Sequence, residues 1–225
     1  MIRSSFLAGA VFALLLSGPA QAQAAAHPAA AGHACGNVSM SGDGRIVPPA
    51  GIDADAVDAG RTAIGLFPID ALMAPLANQI DTDVDKGLAS TTDAKKRAVL
   101  LRIKKDKPEI LAKLRAVVVD TIASGIACHQ TRHDLEALTG FMKTSAAQKL
   151  AMTYVVHKNG GTKPELTAQE QAQLAAFTAS EPGKHVFSEF RDGSQTDVWM
   201  KAQFPIMGKL IQDWLESRYH LEGVP

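Results

Sequence analysis

The chain has 225 residues, of which 46% are hydrophobic, 20% charged and 5% aromatic, and its 23 basic residues balance 23 acidic ones. The apolar fraction is ample for a globular core and excludes a disordered acidic or basic tail protein. Because the formal net charge is zero, the chain lacks the excess of basic residues with which proteins bind nucleic acid or an anionic membrane. We therefore expect no nucleic-acid partner.

Residues 1–22 have the pattern of a cleaved bacterial secretory signal peptide. Arg3 supplies the positive start, residues 6–16 are apolar, and Ala20-Gln21-Ala22 has the small-x-small pattern of a signal-peptidase site. The apolar run is too short to cross a bilayer, which takes about 20 residues, and no later stretch is apolar enough. We therefore expect a periplasmic or secreted protein that does not span the membrane.

Two cysteines, Cys35 and Cys128, follow the predicted cleavage site. In an oxidising compartment an intramolecular disulfide is the favoured interpretation. Two free thiols or an intermolecular bridge are the alternatives. The bond would close a loop long enough to stabilise the fold by up to about 4–5 kcal/mol in the chain-entropy model.

The remaining chain divides into two parts. Residues 23–52 are rich in Ala, Gly and Pro, which predicts a flexible arm and loop without secondary structure. From Asp53 onward the apolar residues recur at helical spacing, so we predict one all-helical domain over residues 53–225. Asp53 can cap a first helix. Pro68 suits the start of a second helix, whose apolar stripe consists of Ile69, Leu72, Met73, Leu76, Ile80, Val84 and Leu88.

The next segment predicts two separate helices. Ala94–Lys105 is a short basic helix, and Asp106-Lys107-Pro108-Glu109 has the pattern of a capping box that opens another. Residues 117–119 are all Val, which also suits a strand. The cap and the three- and four-residue spacing on both sides favour a helix.

An internal repeat with a 36-residue offset follows. Thr131 and Thr167 each precede an acid by three residues, the capping-box pattern of a helix start. Chance similarity is the alternative, and the shared offset of caps and apolar anchors argues against it. The equivalent pairs are Thr131 and Thr167, Asp134 and Glu170, Leu138 and Leu174, Phe141 and Phe177, and Thr144 and Ser180.

Each copy, near residues 131–157 and 167–190, is predicted to form a helix–elbow–helix unit. Thr144 and Ser180 would cap the second helix of each unit, and Pro182 is tolerated in a first turn. Ala147 and Gly183 are small enough to let the helices approach at the elbow. The fold class is therefore all-α, a helical bundle with two similar helix–elbow–helix units. A last helix, Thr196–Tyr219, should be kinked or split at Pro205.

These elbow motifs resemble the bacterial exported domain-of-unknown-function family 2059 (DUF2059), in tandem divergent copies. Its pattern is Thr-x-x-Glu-Leu, followed by Phe and then Ser/Thr-Pro-x-Gly-Lys. The first copy has Ala146 and Ala147 in place of Pro and Gly, and the second has Thr178 in place of the aromatic residue that follows Phe in the family. The resemblance implies an exported all-helical protein and no defined activity. Its carriers are Thr131, Asp134, Leu135, Phe141, Thr144, Gln148 and Lys149, and then Thr167, Glu170, Phe177, Ser180, Pro182, Gly183 and Lys184.

Candidate chemistry is limited to one cluster, Cys128 and His129 followed by His133 and Asp134. Two histidines four residues apart on one continuous helix could share a metal ion, but the Thr131 cap would place the helix start between them. No nucleophile elbow or phosphate-binding loop is present, and we predict no catalytic residue and no cofactor. The favoured function is non-enzymatic binding of an envelope protein or a small apolar ligand. The alternative is a metal-handling protein or hydrolase that uses His129, His133 and nearby acids.

Overall fold

The structure, a computed structural model, describes residues 35–158, 165–190 and 194–219, with the side chains of 154–158 outside the description. Within these ranges it contains eight helices and one two-stranded sheet, which confirms the all-α prediction. The predicted signal peptide and residues 23–34 lie outside the described residues. The helices are α1 Ala54–Gly65, α2 Ile69–Ser90, α3 Ala94–Ala127, α4 Arg132–Met142, α5 Ser145–Lys158, α6 Ala168–Ala179, α7 Glu181–Glu189 and α8 Gln195–Tyr219.

The first two helices begin where the sequence predicts. The Asp53 side chain accepts a hydrogen bond from the backbone N–H of Asp55 at 3.0 Å and so caps α1. α2 begins directly after Pro68. Its predicted stripe faces the protein, since four of the seven members are buried and the other three are half-buried. The buried members are Ile69, Leu76, Ile80 and Val84.

The predicted helix break at Asp106 is wrong. α3 runs for 34 residues through Pro108, and its cap is Asp93, which accepts hydrogen bonds from the backbone of the first turn. Ile103, Ile110 and Val117 are buried in one cluster at steps of seven residues, and only an uninterrupted helix keeps such positions on one face. The shared burial therefore outweighs the hydrogen bond that Pro108 removes.

α3 is the longest described helix and connects the two hydrophobic clusters of the protein. At 1.5 Å per residue it is about 51 Å long, and it contributes to two hydrophobic clusters. Its residues from Leu100 to Val117 pack with α2, α8 and the β-hairpin around Ile80, Leu114 and Ile211. Its last turns pack with α1, α4, α5 and α7 around Ile126 and Leu135.

Part of the segment predicted as a flexible arm and loop is an ordered hairpin. Strands β1 Ser39–Met40 and β2 Ile46–Val47 pair antiparallel, with Ser39 opposite Val47. Gly44 has φ +77° in the connecting turn, a conformation that favours glycine. Val38 and Ile46 are both 3% exposed, so the hairpin is packed on the bundle. The prediction of a flexible segment is wrong here, because these isolated apolar residues pack against helices that are distant in the sequence.

α8 runs as one helix through Pro205, so the predicted split does not occur. Trp199 lies before the proline and Met207 and Ile211 after it, and all three are buried in the same cluster. Both Trp residues lie on this helix, and Trp199 is buried in the core. Among the described helices, none alone has the length and apolar content to cross a bilayer; α1 and α2 reach those limits only jointly, with a 71° bend between them.

Candidate functional site

A groove of about 330 Å³ lies between α2 and α3. Its volume falls at the lower end of the range typical of small-ligand sites. Pro108, an internal proline of α3, is part of the groove lining, and three alanines leave space that larger side chains would fill. The lining residues are Asp70, Met73, Ala74, Ala77, Pro108, Leu111, Ala112 and Arg115.

The charged residues of this groove form one ion pair. Arg115 Nε donates to Asp70 Oδ1 at 3.1 Å. The Asp70 side chain is 86% exposed and that of Arg115 37%. An ion pair this exposed contributes little to stability, so Arg115 can exchange Asp70 for an external anion at small cost.

A second groove, of about 430 Å³, lies between α1 and α4 and is polar. Asp55, Asp58, Arg132 and Glu136 line it. Arg132 pairs with Asp55 at 3.0 Å and with Glu136 at 2.7 Å, and Arg61 pairs with Asp58 at 2.6 Å. Because the charged residues of this groove are paired within the protein, we interpret it as a solvated surface rather than a ligand site.

Both capping boxes of the repeat are present. The Thr131 hydroxyl accepts from the Asp134 N–H at 3.2 Å, and the Asp134 carboxylate accepts from the Thr131 N–H at 3.2 Å. Thr167 and Glu170 make the same two bonds at 3.3 and 2.8 Å. The first helix of each unit therefore begins at the residue that its sequence indicates.

The two elbows differ in length by one residue. In the first, Lys143 and Thr144 separate α4 from α5, and the Thr144 hydroxyl accepts from the backbone N–H of Ala147 at 3.2 Å. In the second, Ser180 alone separates α6 from α7 and accepts from the Gly183 N–H at 3.1 Å. Pro182 lies in the first turn of α7, as predicted.

The shorter elbow explains why residue 183 is glycine. A Cβ at this position would lie 2.7 Å from the carbonyl carbon of Phe177 and closer still to its oxygen. These are backbone atoms, which no side-chain rotation can move away. The predicted close approach at Gly183 therefore follows from the geometry of α6 and α7.

Cys35 and Cys128 are at disulfide distance, with their Cα atoms 6.2 Å apart. The pair joins the segment before the hairpin to the end of α3. Further contacts hold the same segment on α8, because Trp199 Nε1 donates to the Gly36 carbonyl at 2.9 Å and the buried Gln203 amide accepts from the Val38 N–H at 3.1 Å. Such a pair is compatible with an oxidising, extracytoplasmic location.

The histidine cluster does not have the geometry of a metal site on one continuous helix. α3 ends at Ala127 and α4 begins at Arg132, so His129 lies between helices while His133 lies in a first turn. Burial lowers the pKa of His129, and Glu189 opposes this shift. In the described ranges, no group of three or more His, Cys, Asp or Glu residues could hold a metal ion.

The apolar groove was not predicted from the sequence. The sequence pattern places Pro108 at a helix start rather than inside a helix. The available signal is Pro108 together with the small residues Ala74, Ala77 and Ala112. That signal becomes informative only once α2 and α3 are known to be neighbours.

Compared with protein-family models, with curated proteins and with solved structures, the chain has no significant match. The resemblance of the elbow segments to DUF2059 therefore stays a prediction that rests on the motif residues.

Proposed function

We propose that the chain is an exported, non-enzymatic binding protein of the cell envelope that holds a small apolar ligand with an anionic group in the groove between α2 and α3. The observation that carries the proposal is the composition of the groove. Apolar side chains line it, and its one cation, Arg115, stands in an exposed ion pair. An apolar cleft with few polar groups is the usual form of a small-molecule site.

The roles of the buried acids favour binding over catalysis. In the part of the chain that the structure describes, the buried carboxylates are those of Asp134 and Glu170. Both accept backbone N–H bonds in capping boxes. A catalytic site needs an acid or base aimed at a space where substrate can sit, whereas these two acids serve the helix starts.

Export to the envelope is supported by two independent features. Residues 1–22 have the signal-peptide pattern, and the Cys35–Cys128 pair suits an oxidising compartment. The alternative prediction, metal handling or hydrolysis at His129 and His133, gains no support from the helix boundaries described above.

Fluorescence titration with 8-anilinonaphthalene-1-sulfonate tests the proposal, since this probe combines apolar rings with one negative charge. The protein is the chain without its predicted signal peptide. We expect saturable binding that Ala77→Phe weakens at least tenfold by filling the groove, and that Arg115→Gln weakens about three- to tenfold by removing the cation.

Ala172→Phe is the matched control, because Ala172 is an exposed alanine on α6. It should leave the affinity unchanged. Circular dichroism of each variant verifies that the fold is retained. Equal affinities for Ala77→Phe and Ala172→Phe, or binding that Arg115→Gln does not change, would rule out the groove as the binding site of an anionic apolar ligand.

A further inference from the structure

The two helix–elbow–helix units pack on each other with the symmetry of a two-fold pair. The first helix of each unit contacts the second helix of the other, α4 with α7 and α6 with α5. The equivalent residues Phe141 and Phe177 stack directly, with ring centroids 4.3 Å apart and planes 6° from parallel. Contact between equivalent residues is the property of an isologous, two-fold interface.

Two contacts between a basic and an acidic side chain obey the same symmetry. Lys149 on α5 donates from Nζ to Glu170 Oε2 at 2.7 Å. His185 on α7 places Nδ1 3.5 Å from Asp134 Oδ1. The 36-residue offset that relates Asp134 to Glu170 also relates Lys149 to His185. Each unit therefore extends a basic residue from its second helix to the capping acid of the other.

The two links differ in chemistry. A lysine is charged throughout the physiological pH range, whereas a histidine carries its charge only in acid. The partner carboxylate, Asp134, is 5% exposed. Its Oδ2 accepts from the Thr131 N–H and hydroxyl, whereas His185 lies against Oδ1, so a positive charge on His185 would further stabilise a carboxylate that water solvates poorly.

The other charged groups near His185 have partners of their own. Glu189, four residues on along α7, accepts from the Thr196 N–H at 3.2 Å and from the Thr196 hydroxyl at 3.0 Å. On its own helix Glu181 pairs with Lys184 at 2.5 Å, and the proximity of His185 contributes to lowering the pKa of Glu181, after the hydrogen bond and charge of Lys184. From the end of α3, the Gln130 amide donates to the His185 backbone carbonyl at 3.1 Å. From α4, the charged group that the structure places against His185 is Asp134.

We propose that two side-chain pairs hold the units together: Lys149–Glu170, which is an ion pair at all physiological pH values, and His185–Asp134, which becomes an ion pair only in acid. α7 is therefore bound to α4 more tightly at pH 5.5 than at pH 8. Only the contact between α7 and α4 depends on pH. α6 and α5 stay linked at both pH values.

Native-state amide hydrogen exchange, corrected for intrinsic rates, tests the proposal on the chain without its predicted signal peptide. In the wild type, we expect protection of the α7 amides to rise about two- to fivefold from pH 8 to pH 5.5, the range for a partly exposed ion pair. His185→Gln should remove that rise. His185→Lys, which copies the first unit, should give high protection at both pH values.

The reciprocal variant Lys149→His should transfer the pH dependence to α6, where wild-type protection is expected to stay constant. If that variant does not fold, the two His185 variants decide the matter. The proposal is overturned if α7 protection in His185→Gln follows pH as it does in the wild type, or if His185→Lys keeps the wild-type pH dependence.

Discussion

Replacing Gly183 by alanine should destabilise the second elbow. The added methyl would press on the Phe177 backbone at 2.7 Å from its carbonyl carbon, where two carbons need about 3.5 Å. Relief requires α7 to move by more than about 1 Å, because the Phe177 oxygen would lie closer still to the methyl. This movement displaces Val186, 2% exposed, from its cluster. Overpacking costs about 1–3 kcal/mol in general, and we take about 2–3 kcal/mol here because both close contacts are backbone atoms. The better helix propensity of alanine returns about 1 kcal/mol. The net loss is about 1–2 kcal/mol.

Urea unfolding followed by circular dichroism measures this loss. With a slope near 2 kcal/mol per molar urea, the midpoint should fall by about 0.5–1 M at unchanged slope. Gly140→Ala on α4 is the matched control, because a Cβ there meets no atom within 4 Å, and it should stabilise the protein by about 0.5–1 kcal/mol. A midpoint for Gly183→Ala at or above the wild-type value, beside a stabilised Gly140→Ala, would refute the tight contact between α6 and α7.

Two further predictions concern the cysteine pair and acid stability. Reduction, or Cys35→Ser with Cys128→Ser, should lower the free energy of unfolding by up to about 4–5 kcal/mol, given the separation of 93 residues; equal urea midpoints with and without reductant would contradict this. The hydrogen bond from Lys149, followed by that from the Thr167 backbone, lowers the pKa of Glu170 from 4.5 to about 2. Because this pKa is depressed in the folded state, the stabilisation is complete above about pH 4.5 and is lost as pH falls toward 2. Glu170→Gln, which keeps an acceptor for the cap, should flatten the urea midpoint over that pH range, and an unchanged acid dependence would argue against the pair.

The helix starts could be predicted from the sequence because capping is local. Asp53, Thr131, Thr167 and Ser180 each bond a backbone N–H two or three residues ahead. The same holds for the elbow at Gly183. In such cases the partners are neighbours in the chain, so the pattern of residue types contains the interaction.

The break expected at Asp106 shows the limit of local reasoning. Asp106 has the residues of a capping box after it, yet its carboxylate accepts from the Tyr219 hydroxyl at 3.1 Å and lies 3.7 Å from Arg218. Those partners are more than 100 residues away. Their contacts, together with the buried face shared by Ile103 and Ile110, keep α3 continuous through Pro108.

The sequence alone was sufficient for the helical class, the helix starts at Asp53, Thr131, Thr167 and Ser180, and the 36-residue repeat, since each depends on patterns of residue types along the chain. It favoured the pairing of Cys35 with Cys128, the one pairing possible within the chain. Tertiary structure alone decided the hairpin docked on α8, the groove between α2 and α3, and the crossed contacts of the two elbow units. These features depend on which helices become neighbours. That choice is made by burial of apolar surface summed over the whole chain, and no short window of sequence contains it.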